Sequence, residues 1–103
     1  MSRGTTRERQ VRHQLEHDGW LVIRAAGSLG ICDLVALKAG ESPRLVEVKS
    51  DVRSPFNNFL PARRRELAQA AERAGGEAWL CWWPPRKTPQ WIAADAWPAE
   101  RVA

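Results

Sequence analysis

The chain has 103 residues, which is enough for one domain with a hydrophobic core and too few for a second. Apolar residues make up 44% and charged residues 27%, a balance that excludes a disordered chain. The formal net charge is +4, and Arg supplies 13 of the 16 basic residues, which favours a polyanionic partner because guanidinium groups bind phosphate through paired hydrogen bonds.

The first half of the chain predicts a helix followed by three strands. Val11 and Leu15 lie at helical spacing within residues 5–18, and Gly19 provides a stop. Glu8 lies one turn earlier on the same face, so a carboxylate is expected to point inward. Residues 20–23, 33–37 and 44–49 are short apolar runs typical of strands, and they predict a three-stranded meander.

The second half predicts a loop over residues 50–59, a helix opened by Pro61 and ended by Gly75 and Gly76, and strands over 77–83 and 90–93. This element order predicts an α/β or α+β fold, in which helices flank a central mixed five-stranded sheet. We expect a single domain spanning residues 1–103.

Three charged residues suggest hydrolytic chemistry. Alternation along the third strand places Glu47 and Lys49 on one face, about 6 to 7 Å apart, while Val46 and Val48 face the other side. Asp33 opens the preceding strand, and a short turn makes the two strands neighbours. Two adjacent carboxylates suit a hard divalent ion such as Mg²⁺, and a lysine beside them can orient water or neutralise phosphate charge. The pattern indicates phosphodiester hydrolysis.

An acidic residue followed after a short spacer by Glu47-Val48-Lys49 resembles the signature of PD-(D/E)XK nucleases, although Cys32 stands where that motif has proline. The resemblance extends to archaeal-type Holliday junction resolvases over about residues 3–93. It is carried there by Arg3-Gly4, Glu8-Arg9, Arg24, Gly27-Ser28 and Glu77-Ala78-Trp79.

This resemblance implies a restriction-endonuclease-like fold and a homodimer that cuts branched, four-way DNA symmetrically with Mg²⁺, for which Mn²⁺ can substitute. It implies that Asp33, Glu47 and the backbone carbonyl of Val48 bind the metal, and that Glu8 assists through water. Lys49 is then the catalytic lysine, and Ser28 is a loop residue near the scissile phosphate. The same resemblance places Arg3, Arg9, Arg24 and Arg53 at the DNA backbone.

Several of these residues also have plainer interpretations. The Glu-Val-Lys triplet alone is compatible with an exposed strand face, Glu8 with a first-turn position favoured by the helix dipole, and Ser28 with a capping role. The run Arg63-Arg64-Arg65 fits a solvated helix face as well as phosphate contact, and Arg63 and Arg64 are counted among the DNA-binding candidates.

The tryptophans, histidines and cysteines have structural interpretations. The tryptophans, especially Trp79, Trp82 and Trp83, occupy strand positions where core or dimer packing is the usual role. His13 and His17 lack a third ligand nearby and are expected on the surface, and Cys32 and Cys81 are expected to be reduced core residues. Phe56, Phe59 or the tryptophan-rich strand could supply a dimer surface.

Two other functions remain open at this point. A VRR-type flap or nicking nuclease would keep the same active site and change the substrate, and a basic DNA-binding module would lack catalysis. No segment approaches the roughly 20 apolar residues of a membrane span, so we expect a cytoplasmic protein, or one in the host cytoplasm if the source is viral, with no membrane partner and no small-molecule substrate.

Overall fold

The computed structural model describes residues 3–25 and 30–99, with side chains from Thr6 onward. Helices and strands follow one another in the predicted order. Their bounds are α1 Arg3–His17, β1 Leu21–Arg24, β2 Leu34–Leu37, β3 Arg44–Lys49, α2 Pro61–Arg73, β4 Glu77–Trp82 and β5 Gln90–Ala93, after which a 3-10 helix covers Ala94–Ala96.

The strands form one five-stranded sheet in the order β1-β2-β3-β4-β5. The first three strands are the antiparallel meander that the sequence predicted. β3 and β4 run parallel and are connected through α2, and β5 returns antiparallel to β4. The predicted mixed sheet with flanking helices is therefore confirmed, with β3 in its central position.

Each face of the sheet packs against one helix. The core on the α1 side contains Val11, Leu15, Trp20, Val22, Leu34, Ala36, Val46, Val48 and Cys81. The core on the α2 side contains Cys32, Leu45, Phe59, Leu67, Ala71, Ala78 and Leu80. Because side chains alternate along a strand, β3 contributes Val46 and Val48 to the first core and Leu45 to the second, as predicted. Glu47 shares the α2 side with Leu45.

Two glycines end α2, and the second of them packs closely against the backbone just before β3. Gly75 has a φ of +66°, and its N–H donates to the Glu72 carbonyl at 3.1 Å. A Cβ on Gly76 would lie 2.5 Å from the carbonyl oxygen of Pro43, whose oxygen also accepts the Glu77 N–H at 2.8 Å. The close approach requires a residue without a side chain at position 76.

The differences from the predicted boundaries occur where the chain enters or leaves a strand. Trp20 lies outside β1, because its N–H donates to the Leu15 carbonyl of α1 at 3.0 Å. Asp33 lies just before β2, yet its N–H still bonds to the Val46 carbonyl at 3.0 Å. α1 begins at Arg3, two positions before the predicted Thr5.

The edge strand β1 leaves an apolar strip on the α2 side of the sheet. Leu21 is 65% and Ile23 50% exposed. Their cross-strand partners on β2 are Leu37 and Val35, which are partly exposed. On this face α2 packs mainly on β3 and β4, toward the opposite edge of the sheet from β1.

The predictions for cysteine and histidine are confirmed. Cys32 and Cys81 are buried free thiols, and burial raises the pKa of Cys81 to about 12. His13 and His17 are both exposed on α1. Within the described ranges, neither helix has the length and apolar character needed to cross a bilayer.

Candidate active site

Asp33 and Glu47 come together at one end of the sheet, where β1 and β3 finish and β2 begins. Leu34 pairs with Val46 in the antiparallel ladder, so the same register places Asp33 opposite Glu47. The backbone of β3 fixes the Asp33 side chain, because Asp33 Oδ2 accepts a hydrogen bond from the Val48 N–H at 2.7 Å. We refer to this end of the sheet as the Asp33 end.

The Val48 backbone lies on the side of β3 that faces Asp33. Its N–H donates to that carboxylate, and the N–H and C=O of one strand residue point to the same side. The Val48 carbonyl is therefore directed toward the Asp33 end of β2. This is the position that the sequence predicted for a backbone metal ligand.

Glu47 is almost fully buried, at 5% exposure, and two cations approach it. Lys49 Nζ lies 3.4 Å from Glu47 Oε2, and a guanidinium nitrogen of Arg63 lies 3.7 Å from Oε1. The second distance is too long for a hydrogen bond, and Oε1 has no hydrogen-bond partner among the described residues. A buried carboxylate oxygen is thus left without a donor.

Glu8 reaches the same end of the sheet from α1, on the opposite face from Glu47. Its side chain is 20% exposed, and its Oε1 lies 3.4 Å from Arg24 Nε. Arg24 closes β1 and pairs with Leu34, the residue after Asp33. The prediction that Glu8 points inward from α1 is confirmed.

The pKa values of all three carboxyl groups are raised. Burial is the largest cause of the rise in the pKa of Glu47 to about 7, followed by the charge of Asp33, while Lys49 and Arg63 offset part of the effect. Burial also raises the pKa of Asp33, against the hydrogen bond from Val48. The pKa of Glu8 rises through burial and through Asp33, and Arg24 opposes this change. Burial, more than repulsion between the carboxylates, therefore disfavours the charged form of all three groups.

These features fit a divalent cation bound by Asp33 and Glu47. Over the described stretches, no three Asp, Glu, His or Cys side chains lie close enough to hold a metal by themselves. Mg²⁺ does not need three, because it commonly takes one or two carboxylates and completes its shell with water and substrate phosphate. Glu47 Oε1, which has no hydrogen-bond donor among the described residues, is an oxygen able to bind such an ion.

A family model described as archaeal Holliday junction resolvase (Hjc) matches residues 1–101. The chain belongs to this family. A solved structure of Archaeoglobus fulgidus Hjc, a Holliday junction resolvase from an archaeal hyperthermophile, superposes with a TM-score of 0.78 at 28% identity, covering 89% of this chain and 78% of that one. No curated protein matches the sequence significantly.

Membership of the resolvase family identifies the chain as a structure-specific nuclease that resolves junctions, with the restriction-endonuclease-like fold that the resemblance implied. Nucleases of this family generally use a divalent metal ion. Cys32 stands at the position of the motif proline. Cys32 is buried in the α2-side core, and its Sγ donates to the Leu34 carbonyl at 3.3 Å.

Three arginines surround Glu8 and make this side of the resolvase site basic. Arg9, Arg12 and Arg24 line a narrow pocket with Glu8 and Leu34. Arg9 is exposed and Arg24 is half-exposed. Arg12 was not among the predicted DNA-binding residues, although it is one helical turn from Glu8. It also pairs with Glu16 at 3.2 Å.

Arg64 corrects the sequence interpretation of the arginine run. The sequence placed it among DNA contacts, but it is 3% exposed and lies inside the molecule. Its guanidinium donates to the carbonyls of Phe59 at 2.6 Å and Pro98 at 2.7 Å, and it stacks over the Phe56 ring. A side chain engaged in this way cannot reach a phosphate.

Arg63 was predicted to contact DNA, and the structure shows a more specific environment. Besides facing Glu47, it donates to the Gly30 carbonyl at 3.1 Å and lies 3.8 Å from Glu66. Arg63 thus joins α2 to the segment before β2 and to the carboxylate of β3. Sequence spacing alone could not reveal this, because the contact depends on where α2 crosses the sheet.

The remaining predicted residues have varied outcomes. Ser28 and the Arg3 side chain lie outside the described residues. Arg53 is exposed in the loop after β3, and its N–H donates to Asp51 Oδ1 at 2.8 Å. Phe59 is fully buried against Trp97, so it cannot supply the dimer surface suggested by the sequence.

Proposed function

We propose that this resolvase is a Mg²⁺-dependent endonuclease, able to use Mn²⁺, that cuts four-way DNA junctions by phosphodiester hydrolysis. The observation that supports this most directly is the arrangement of Asp33, Glu47 and Lys49 at one end of the sheet. Within it, a buried carboxylate oxygen has no hydrogen-bond donor among the described residues. A site of this composition is suited to a phosphate and a cation together.

Asp33 and Glu47 would hold the ion, with the Val48 carbonyl as a third oxygen ligand and Glu8 acting through water. When bound, the ion would neutralise charge on the scissile phosphate and lower the pKa of water. Carboxylate and carbonyl oxygens are the ligands that such hard cations prefer. The hydrogen bond from Val48 N–H fixes Asp33, so the geometry of one ligand is set by the backbone of β3.

Lys49 is proposed to be the catalytic lysine. Its side chain is 22% exposed, so it is accessible to substrate, whereas the side chain of Glu47 is 6% exposed. From this position it can donate hydrogen bonds to the attacking water or to a phosphate oxygen. Pairing with Glu47 keeps Lys49 positioned before DNA binds.

DNA phosphates are proposed to bind Arg9 and Arg24 at the Glu8 pocket and Arg53 in the loop after β3. Arg9 and Arg53 are exposed and Arg24 is half-exposed, and they lie on elements that meet at the Asp33 end. Arg63 can contribute once its contact with Glu47 is replaced. Ser28 and Arg3 keep their proposed roles beside the scissile phosphate and at the DNA backbone.

A homodimer is proposed because two opposed strands of a junction must be cut, which suits a two-fold symmetric protein with two sites. The apolar strip of Leu21, Ile23, Val35 and Leu37 supports this proposal, because two of its four residues are at least half exposed and all four lie on neighbouring strands.

The test is cleavage of labelled four-way junction, matched linear duplex and flap DNA, with Mg²⁺ and with a chelator. Asp33→Asn and Glu47→Gln remove one charge each and keep the side-chain shape. We expect each to slow junction cleavage by about a hundredfold or more while junction binding in Ca²⁺ changes little. Glu41→Gln, an exposed carboxylate in the β2–β3 turn, is the matched control and should cleave as wild type does.

Equal cleavage of flap and junction by the wild type would keep the nuclease and change its substrate. Full activity of Asp33→Asn and Glu47→Gln would contradict the proposed metal site. If none of the three DNAs is cleaved in a metal-dependent way, the protein binds DNA without cutting it.

A further inference from the structure

A small pocket with one tryptophan in its wall lies beside the proposed active site and has no part in the chemistry described so far. It has a volume of about 320 Å³ and is lined by Val52, Trp82, Pro84, Pro85, Lys87 and Gln90. This is the small end of the range for ligand pockets and suits a single planar group.

The register of the sheet links this pocket to Lys49. Lys49 on β3 pairs with Trp82 on β4, and Trp82 pairs with Gln90 on β5. Directly paired residues on neighbouring strands face the same side and are one strand spacing apart, about 4.8 Å. Lys49, Trp82 and Gln90 therefore form one row across the Asp33 end of the sheet.

Trp82 is held with its ring fixed. Its indole N–H donates to the Asp51 carbonyl at 2.7 Å, which satisfies the polar edge of the ring. The side chain is partly exposed, whereas Trp20 and Trp97 pack inside the molecule or against its core. Val52, 63% exposed, stands at the same pocket. A fixed, partly exposed indole is a surface on which another flat ring can stack.

The polar residues of the pocket favour a nucleobase over an apolar protein segment. Gln90 carries both a donor and an acceptor, as the edge of a base requires, and Lys87 carries a positive charge suited to a phosphate. None of the six lining residues is acidic. Together with the chain's net charge of +4, this composition suits nucleic acid.

We propose that this pocket binds one unstacked nucleobase of the junction, next to the phosphate held at Lys49, by stacking it on Trp82. This proposal rests on the proposed nuclease function and adds a reason for substrate selectivity. In a linear duplex each base must be unstacked at a cost, whereas stacking is already interrupted at a branch point. Placing a base in this pocket therefore costs less free energy for branched DNA than for a linear duplex.

The experiment compares binding of a four-way junction and a matched linear duplex in Ca²⁺, using the full chain. Trp82→Leu should weaken junction binding about tenfold, the usual size of a lost base–aromatic contact, and change duplex binding less than twofold. Trp82→Phe keeps a ring and should retain most of the affinity. Trp91→Phe is the control, since Trp91 packs against Trp79 on the α1 side of the sheet.

A DNA-side variant keeps the test decisive if Trp82→Leu does not fold. An abasic nucleotide beside the scissile phosphate should weaken binding to the wild type about tenfold and should not weaken binding to Trp82→Phe by more than this. Wild-type binding that is unaffected by abasic nucleotides at every position around the branch would overturn the proposal.

Three outcomes distinguish a failure of the stacking site from a failure of the proposed function. If the wild type prefers junctions and a folded Trp82→Leu shows the same preference and affinity, the stacking site is wrong and the function stands. If Trp82→Leu changes the molecular mass in light scattering, the pocket is a protein interface and the stacking site is wrong. If the wild type does not prefer junctions over duplex, the proposed function and the stacking site both fail.

Discussion

Arg63 lies beside the donor-free oxygen of Glu47, the carboxylate that we propose as a metal ligand. The guanidinium lies 3.7 Å from Oε1, close enough to stabilise the charge and too far for a hydrogen bond. Lys49 and Arg63 are the cations that oppose the rise in the pKa of Glu47. A competing cation of this kind weakens metal binding, because its attraction to Glu47 must be given up.

Arg63→Gln should therefore tighten Mn²⁺ or Mg²⁺ binding to the free protein by about tenfold, since one nearby positive charge is removed. Isothermal titration calorimetry without DNA measures this directly. Arg65→Gln changes the same charge at an exposed site on α2 and should leave the affinity within about twofold. Weaker metal binding in Arg63→Gln would mean that Arg63 positions Glu47 instead of competing for it.

Arg64, the next residue, is expected to contribute to stability and not to DNA binding. Arg64→Met keeps a long side chain but leaves the Phe59 and Pro98 carbonyls without their charged donor. We expect a loss of about 3 kcal/mol in the free energy of unfolding, measured with urea. Arg65→Met, exposed on the same helix, should change stability by less than about 0.5 kcal/mol.

A loss of junction affinity in folded Arg64→Met, with little change in stability, would return Arg64 to the DNA-binding residues. The pair of variants thus tests the correction that the structure made to the sequence interpretation.

At the scale of elements, the turn between α2 and β4 sets the distance from the helix to the sheet. Gly76→Ala would place a Cβ 2.5 Å from the Pro43 carbonyl oxygen, which belongs to the backbone and cannot move away freely. We expect a loss of about 1 to 3 kcal/mol in unfolding free energy. Gly75→Ala meets no atom within 4 Å and should cost about 1 kcal/mol through its φ of +66° alone. Equal losses in both variants would contradict the steric argument.

The sequence predicted the elements well because their signals are local. The alternation along β3 that separates Glu47 from Val46 and Val48 is a property of neighbouring residues, and the structure confirms it. The position of Arg63 beside Glu47 depends on how α2 lies across the sheet, which no local pattern contains. Adjacent residues on α2 also differ in outcome, since Arg64 is buried and Arg65 is exposed, and a run of three arginines carries no signal for that.

The meeting of Asp33 and Glu47 could be predicted only because the turn between β2 and β3 is short. Glu8 is different, because its helix packs on the opposite face, and its place in the cluster followed from an amphipathic pattern and a family resemblance together. The pocket around Trp82 joins three segments and was not predicted. Tryptophans on strands usually pack in cores. The residues next to each tryptophan in the sequence do not indicate which indole ring will line a surface pocket.

At the scale of the whole molecule, the proposed dimer can be tested at the apolar strip of β1 and β2. The double variant Leu21→Lys, Ile23→Lys places two charges on residues that are 65% and 50% exposed in one chain. We expect it to shift the protein from dimer to monomer at micromolar concentration in light scattering, with the fold retained.

Leu60→Lys provides the control, because Leu60 is 45% exposed in the loop before α2. A wild-type monomer would remove the dimer proposal. A double variant that remains dimeric would place the interface on another surface.

The central position of β3 has a consequence for the order of folding. β1, β2 and β3 are joined by short connections, so this meander can form early, whereas the parallel pairing of β3 with β4 must wait for α2 to cross the sheet. We therefore expect Glu47 to stay hydrated in the early meander and to lose water only when α2 packs and brings Arg63 to within 3.7 Å of it. In kinetic terms, substitutions at Glu47 should alter the unfolding rate more than the folding rate.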